Sequence, residues 1–409
     1  MTIFGPANIQ LPAPPNLEKW PVIACDQYTS QPEFWTHLRS EVGNAPSTLH
    51  MILPEAELSR SIDQKCSSIH QTMMDYAHSG ILETYSNSFV YVERTLANGC
   101  IRPGIVGVVD LESYDYRPGS TSPIRATEKT VAERIPPRRA VRQHAALDMS
   151  HVLLLADDEE NALFRPLAGS RDRLKPLYSL DLMGNGGHIA GWLVDGADAD
   201  ALLRRIMQYE SSMRSRYSSS GGGEIVYVIG DGNHSLAAAK DCYEQAKKEH
   251  PNSVHCPRRY ALVELENIHD PAQQFEPIHR LVQTSDPQAL LKALELECGA
   301  NDGYPVTWYL GNTRGVLHLD RSKALTAIAV LQPFLDAYIQ EWGGGIDYIH
   351  GGEVLCRLAA EKNALGFLLP PVEKGHFFQS ILSNGVLPRK TFSMGHAQEK
   401  RYYLETRAL

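Results

Sequence analysis

The chain of 409 residues is long enough for two or three domains, and its apolar fraction of 43% and charged fraction of 21% are ordinary for a globular protein. Its formal net charge of −9 argues against a nucleic-acid partner, because proteins hold that polyanion mainly through basic surface. The seven cysteines form no CxxC pair, so neither a zinc knuckle nor a disulfide framework is predicted.

Residues 1–160 are predicted to form an N-terminal α/β part. They begin without a signal-peptide pattern, and the chain lacks the roughly 18 consecutive apolar residues of a membrane span, so we expect a cytoplasmic protein without a membrane partner. Residues 21–25 are predicted as a strand, and residues 30–33 match a capping box that opens a helix. Asp26 lies between them, where α/β folds place ligands, although a turn-forming role would leave the same pattern.

Pro54 is predicted to open a long helix that ends at Gly80, and Asn98-Gly99 predicts a hairpin of two paired strands. Residues 113–139 are polar and contain four prolines, which is typical of a long functional loop. Within it, Arg125 is a candidate for holding an anion and Glu128 for proton transfer or metal binding. An exposed helix cap would have the same composition.

Residues 161–285 are predicted as a central part. Residues 211–223 are rich in Ser, Arg and Gly and are predicted to be a flexible loop. After them, residues 224–240 read as a buried apolar strand, a tight turn and a helix. The turn holds the main candidate residues: Asp231 and His234 as catalytic groups, and Gly232, Asn233 and Ser235 as ligand-binding groups.

Two observations favour a functional turn. Four polar side chains crowd one sharp bend beside an apolar strand, and the free N–H groups of the first helical turn would attract an anion. Asp231 or Asn233 could also cap the helix. The structural alternative is a turn with a hydrogen-bonded histidine, which occurs in many α/β proteins.

Residues 286–409 are predicted as a C-terminal α/β part with a mixed sheet, because strand and helix patterns alternate there. Just before it, His279 and Arg280 are two further candidates for ligand binding. They are adjacent on a predicted strand, so their side chains would point to opposite faces, and both can serve one site only if the backbone turns there. Arg389, Lys390 and Thr391 place cations beside a hydroxyl and suit a phosphate or carboxylate ligand. A basic edge strand is the alternative.

The turn GDGNH resembles the DGHHR-type turn of the domain-of-unknown-function family 1015. The resemblance extends over nearly the whole chain through four further segments: RATEKTVAERIPPR at 125–138, FEPIHR at 275–280, IDYIHG at 346–351 and LPRKTFSMGHAQEKRYYLE at 387–405. This family's turn also resembles the corresponding turn of the ParB/sulfiredoxin-like superfamily, which includes free-serine kinases. The resemblance implies an α/β fold of mixed sheets, with a ParB/sulfiredoxin-like core and an additional α/β domain.

The same resemblance implies a small-molecule phosphotransferase acting on free serine or a similar hydroxylated metabolite, with Mg²⁺ and ATP, ADP or pyrophosphate as the donor. This sequence departs from the DGHHR pattern, since Asn233 replaces the first histidine and Ser235 replaces the arginine. A non-catalytic nucleotide or metabolite binder and a phosphatase are the alternatives. In each reading the partner is a small molecule, and the sequence leaves the oligomeric state and any metal ligands open.

Overall fold

A computed structural model describes residues 2–14, 16–58, 62–149, 152–218, 223–251, 256–388 and 390–409. The chain divides into two compact units: an N-terminal unit of Met1–Gln273 together with His396–Leu409, and a C-terminal unit of Gln274–Gly395. The domain boundaries predicted from the sequence lie after residues 160 and 285. The predicted boundary after residue 160 lies inside the N-terminal unit and stays a prediction. The observed divisions fall after Gln273 and after Gly395.

The strands of the described residues are β1 (Phe4–Gly5), β2 (Ala7–Pro12), β3 (Val22–Ile23), β4 (Leu82–Thr95), β5 (Ile101–Asp110), β6 (Ile124–Ala126), β7 (Leu147–Met149), β8 (Val152–Ala156), β9 (Lys175–Asp181), β10 (His188–Val194), β11 (Tyr227–Asp231), β12 (Tyr260–Asn267), β13 (Phe275–Gln283), β14 (Gly303–Leu310), β15 (Thr313–Asp320), β16 (Gly345–His350), β17 (Leu365–Leu368), β18 (Phe392–Met394), β19 (Tyr402–Tyr403) and β20 (Thr406–Ala408).

The α-helices are α1 (Pro32–Val42), α2 (Ile62–His78), α3 (Ile135–Gln143), α4 (Arg165–Ala168), α5 (Gly196–Tyr217), α6 (Asn233–Glu249), α7 (Pro287–Cys298), α8 (Ala327–Trp342), α9 (Gly352–Glu361) and α10 (Phe377–Asn384). None of the helices in the described residues combines the length and the apolar composition that a membrane span needs.

The N-terminal unit is built on a twelve-stranded sheet with the order β6-β11-β8-β12-β5-β4-β2-β20-β7; β1 pairs with β5, and β10 pairs with β4 and β9. The pairs β6–β11 and β8–β12 are parallel, whereas β11 and β8 are antiparallel. The predicted hairpin is confirmed, because β4 and β5 pair on either side of Asn98-Gly99. This mixed sheet confirms the predicted α/β class.

The strand and helix predicted around the central turn are also confirmed. Residues 225–229 are fully buried, as expected of an apolar strand inside a sheet, and α6 follows the turn directly. The small side chains Ala237 and Ala238 of α6 pack with Ile135 of α3 in one apolar cluster. Because α3 packs against α6, its long polar side chains lie near the start of α6.

The C-terminal unit has its own six-stranded sheet with the order β15-β14-β17-β13-β16, and β18 pairs with β13. Helices α7 and α8 contribute Leu290, Leu294, Leu331 and Leu335 to the main apolar core of this unit. Helix α9 contributes Leu355 to a smaller cluster with Leu281 of β13. The predicted alternation of strands and helices in this region is therefore confirmed.

Three local predictions were wrong. Helix α1 begins at Pro32 with Gln31 as its N-cap, and no side chain caps it, so the capping box does not form. Pro54 precedes a short 3₁₀ turn, and the long helix is described from Ile62 to His78. Residues 211–217 belong to α5, because its buried face continues through Met213 and Tyr217; residues 219–222 lie outside the described residues.

The predicted long loop at residues 113–139 contains more regular structure than expected. It contributes strand β6 and the beginning of α3, and Pro136 and Pro137 occupy the first turn of that helix. Proline is tolerated there because the first N–H groups of a helix need no intrahelical acceptor. Pro136 and Pro137 therefore mark the start of a helix, although this region was predicted as part of a loop.

The segment His396–Leu409 places charged side chains inside the N-terminal unit. Arg401 is buried, its Nη1 lies 2.7 Å from Oε2 of Glu264 on β12, and its Nη2 donates to the buried Glu405. Arg102 of β5 pairs in the same way with Glu266 at 2.9 Å. Burying a charge is costly unless an opposite charge and hydrogen bonds accompany it. Removing one partner of such a pair would therefore leave the other charge buried without compensation.

We predict that Arg401→Leu destabilises the protein by about 3–5 kcal/mol, because two buried carboxylates lose their shared cation. Urea unfolding followed by tryptophan fluorescence measures the change. Arg117→Leu is the matched control, since Arg117 is exposed and pairs only with Asp115 nearby in sequence, and it should leave the unfolding midpoint nearly unchanged. Equal effects of the two substitutions would contradict the structural role assigned to Arg401.

Candidate functional site

The central turn is built by one glycine in a left-handed conformation. Strand β11 ends at Asp231, Gly232 has φ +79° and is the N-cap of α6, and the helix begins at Asn233. No side chain caps the helix; Asp231 instead accepts a bond from the N–H of Gly232 at 2.8 Å. Within the described residues, the backbone N–H groups of Asn233 and His234 have no acceptor, so they remain available to a ligand.

The segment after β6 closes one side of the turn. Because β6 and β11 are parallel, their carboxyl ends lie at the same edge of the sheet. The side-chain amide of Asn233 donates to the carbonyl of Glu128 at 3.0 Å and to the Thr130 hydroxyl at 3.1 Å. Thr127 donates to the carbonyl of Ile229 at 2.9 Å. The structure thus places the backbone of Glu128 beside the turn, where the side-chain amide of Asn233 holds it by a hydrogen bond.

His234 is neutral in this arrangement. Burial, followed by the nearby cations Arg134 and Arg138, lowers the pKa of its imidazole to about 4, and the carboxylates Glu55 and Asp26 oppose this only in part. Its Nε2 accepts a bond from the N–H of Val131 at 3.1 Å, so the ring proton is on Nδ1. In this orientation the Nδ1–H group of His234 can donate a hydrogen bond to a ligand, while Nε2 accepts from Val131 in the segment after β6.

Charged side chains of both signs surround the turn. Nζ of Lys400 lies 3.2 Å from Oδ2 of Asp231, and Nη2 of Arg134 donates to Oε2 of Glu55 at 2.8 Å. Arg138 donates to the other oxygen of Glu55. Asp26 acts electrostatically on both His234 and Arg138, which places this predicted residue in the same neighbourhood.

Arg125 does not join this group. Its guanidinium donates to the carbonyl of Glu224 from Nε at 3.1 Å and from Nη2 at 3.0 Å, and also to the carbonyl of Ser120. Glu224 precedes β11, so Arg125 braces the start of the strand, at the opposite end from Asp231. Burial lowers the pKa of the guanidinium. The bonds that satisfy Arg125 are therefore structural.

Two of the candidates in the C-terminal unit are buried in that unit. Arg280 donates to Oε1 of Gln332 at 2.5 Å and to the carbonyl of Ile278 at 2.6 Å, and its guanidinium carbon lies 4.6 Å from the ring centre of Tyr348. His279 accepts a bond at Nδ1 from the N–H of Leu369 at 3.2 Å. Burial, followed by the charge of Arg280, lowers the pKa of His279 to about 4.

The remaining candidates lie near the end of that unit. Nζ of Lys390 lies 5.1 Å from the ring centre of Tyr348, and Thr391 is buried with its hydroxyl donating to the carbonyl of Pro388 at 2.6 Å. Arg389 lies outside the described residues.

The sequence predicted no role at the turn for Arg134 or Lys400. Arg134, the N-cap of α3, and Arg138 are spaced four residues apart, which puts them on one face at the start of the helix, and this spacing was visible in the sequence. Lys400 was visible only as part of the last motif. No local pattern could pair it with Asp231, because their contact depends on the return of the C-terminal segment to the sheet.

A cluster of possible metal ligands lies away from the turn, at the carboxyl ends of β8 and β12. It consists of Asp157, Glu159 and His269, whose ligand atoms lie within 4.8 Å of one another. Oδ2 of Asp157 already accepts bonds from Arg216 at 2.9 Å and from Tyr217 at 2.8 Å, and His269 lies 2.6 Å from its Oδ1. A guanidinium at the central carboxylate fits an ion-paired network better than a cation site.

We predict that the imidazole of His234 stays neutral, with its proton on Nδ1, down to about pH 5. The folded pKa of about 4 lies below the usual 6.5, so the stability conferred by the neutral ring is complete above pH 6.5 and is lost as the pH falls toward 4. Nitrogen-15 NMR of labelled histidine, assigned by comparison with His234→Asn, measures both properties. Protonation of this ring near pH 6.5 would contradict the burial described above.

Three solved structures illustrate what the chain is distantly similar to. Solved structures similar to this chain include SbnI from Staphylococcus aureus, at 10% identity and a TM-score of 0.36, covering 70% of this chain and 81% of that one. A free serine kinase in complex with ADP has 10% identity and a TM-score of 0.36, with coverages of 74% and 90%. A conserved hypothetical protein from Pyrococcus furiosus has 10% identity and a TM-score of 0.33, with coverages of 74% and 94%.

A structural similarity with a TM-score below 0.5 does not indicate what the turn of this chain does. No curated protein matches the chain. The model of the family described as a protein of unknown function, DUF1015, matches residues 9–406, which is nearly the whole chain. The chain therefore belongs to the DUF1015 family.

Proposed function

We propose that the N-terminal unit is a small-molecule phosphotransferase that transfers phosphate from ATP, ADP or pyrophosphate to a hydroxyl of a metabolite such as free serine. One observation carries this proposal: the start of α6 offers two backbone N–H groups without acceptors, with Lys400 and Arg134 nearby. Phosphoryl transfer depends mainly on such positioning and charge stabilisation, and helix starts bind phosphate groups.

Each group of the turn has a distinct part in this proposal. The N–H groups of Asn233 and His234 donate to phosphate oxygens, and Lys400 supplies the charge that the turn itself lacks. Ser235 offers only a neutral hydroxyl where the related turn has arginine, so the neighbouring cations Arg134 and Lys400 compensate. A charge-assisted hydrogen bond contributes about 1.5–3 kcal/mol against about 1 for a neutral one.

The carboxylates near the turn provide the remaining chemistry. Asp26 and Asp231 are the candidates for accepting the proton of the acceptor hydroxyl and for holding Mg²⁺, which would neutralise the donor's phosphates. His234 is better suited to donating a hydrogen bond through Nδ1, because its Nε2 is already bonded to Val131. This role differs from that of a general base.

Non-catalytic binding of a nucleotide or metabolite is the second candidate. It is favoured by the ion pair between Asp231 and Lys400 and by the bonded Nε2 of His234, since both groups must change partners before they can move a proton. A phosphatase would use the same anion-binding groups with water in place of the acceptor hydroxyl.

The three functions give different products. Purified protein is incubated with Mg²⁺, with ATP, ADP or pyrophosphate, and with a panel of hydroxylated amino acids and other metabolites. A phosphorylated acceptor supports the phosphotransferase, free phosphate without acceptor supports the phosphatase, and calorimetric binding without turnover supports the binder. If the protein neither binds nor converts any donor, the whole phosphate-based assignment is wrong.

We predict that Lys400→Met weakens donor binding about 10- to 100-fold, because one charge-assisted contact of 1.5–3 kcal/mol is lost. Lys400→Arg keeps the charge and should retain most of the affinity. The matched control is Lys247→Met on the same unit's α6, where Lys247 forms surface pairs with Glu112 and Glu244 away from the turn. Titration calorimetry of the four proteins compares them, and equal affinities for all would remove Lys400 from the site.

A further inference from the structure

A cavity of about 120 Å³ lies beside the start of α6, within the N-terminal unit. Ser235 and Ala238 of α6 form part of its lining, and Arg138 and Arg142 of α3 form another part. Most of the wall is apolar and is supplied by Met51, Leu53, Met73, Leu147 and Met149. An apolar cavity of about 150 Å³ holds a molecule of the size of benzene, so this cavity has room for an aliphatic body of about five carbons.

The polar part of the wall has hydrogen-bond donors without acceptors. Nε of Arg138, Nε of Arg142 and Nη2 of Arg142 are buried, and none has an acceptor among the described residues. Leaving a buried charged donor unsatisfied is costly, which is the usual sign of a missing partner. A carboxylate suits these atoms, because guanidinium groups bind it through two parallel hydrogen bonds.

The charges around the cavity also favour an anion. Glu55 is shared by Arg134 and Arg138, and Asp148 is shared by Arg142 and Arg407. The Asp148 group therefore contains two cations for one carboxylate, whereas Asp26 also acts on Arg138 and balances the Glu55 group.

The carboxylate of Asp148 adds no proton to this balance. Burial would raise the pKa of Asp148, but Arg142 and Arg407 outweigh it and the pKa is lowered. An excess of one positive charge thus remains in the Asp148 group, and a ligand carboxylate at Arg142 would reduce it.

We propose that this cavity binds an amphipathic monocarboxylate of about six carbons, with its carboxylate at Arg138 and Arg142 and its aliphatic body against the methionine and leucine side chains. Ser235 lines both the cavity and the turn, so, if the turn transfers phosphate as proposed above, the acceptor is a hydroxylated acid with an apolar body. Free serine would leave the apolar wall uncovered, and a larger aliphatic hydroxy acid or amino acid would fill it.

The test is a calorimetric titration of the full chain, without phosphate donor, with acetate, butanoate, hexanoate and decanoate. Each buried methylene should increase the affinity about fourfold up to hexanoate, and decanoate should bind more weakly because it exceeds the cavity. Hexylamine and hexan-1-ol have the same apolar body without the anion and should bind at least tenfold more weakly than hexanoate. Equal binding of acid and amine, or affinity that keeps rising to decanoate, would overturn the proposal.

Two variants locate the binding. Arg138→Met should weaken hexanoate binding at least tenfold, whereas Arg139→Met, the neighbouring arginine that does not line the cavity, should leave it unchanged. Val141→Phe fills the cavity from the partly exposed face of α3 and should abolish binding while the circular dichroism spectrum stays native. Unchanged binding in both Arg138→Met and Val141→Phe would place the ligand elsewhere and refute the assignment.

The outcome is independent of phosphate transfer. If carboxylates do not bind and phosphotransfer to a metabolite is nevertheless observed, the cavity assignment is wrong and the proposed function stands. If hexanoate binds as predicted and no donor is bound or turned over, the cavity assignment stands and the proposed function is wrong.

Discussion

The N-terminal unit depends on charge pairs buried between its sheet and the last segment of the chain. Arg401 reaches Glu264 of β12 and Glu405 in its own segment, and none of the three can be left alone in the interior at low cost. The returning segment therefore supplies the charge partners that the sheet buries, and its strand β20 pairs with β2 and β7. It also carries Lys400 to Asp231, so the same segment contributes to the fold and to the charges at the turn.

Helix α3 has a similar double role. Its apolar contact with Ala237 and Ala238 of α6 fixes the distance between the two helices, and its arginines then lie along the space between them. Arg134 and Arg138 share Glu55, whereas Arg142 shares Asp148 with Arg407. The small alanines matter here, because a close approach of α3 and α6 brings Arg134 and Arg138 near a turn that has no arginine of its own.

The same geometry separates binding from acid–base chemistry at the turn. Burial, and then the cations that favour an anion, lower the pKa of His234, and the bond from Val131 occupies its basic nitrogen. In the proposed phosphotransfer, proton transfer is therefore assigned to the carboxylates. A helix start flanked by cations can hold phosphate whether or not a reaction follows, which is why product analysis, and not binding alone, separates the candidate functions.

The sequence by itself determined the features that depend on neighbouring residues. The β-branched run before Asp231 predicted a buried strand, Asn98-Gly99 predicted the hairpin, and Gly232 lies where the backbone needs a positive φ. Only the tertiary structure decided which polar side chains meet: Lys400 joined Asp231, and Arg125 turned away to Glu224. Periodicity and turn chemistry record local conformation and burial, whereas the partner of a long charged side chain depends on how distant segments pack.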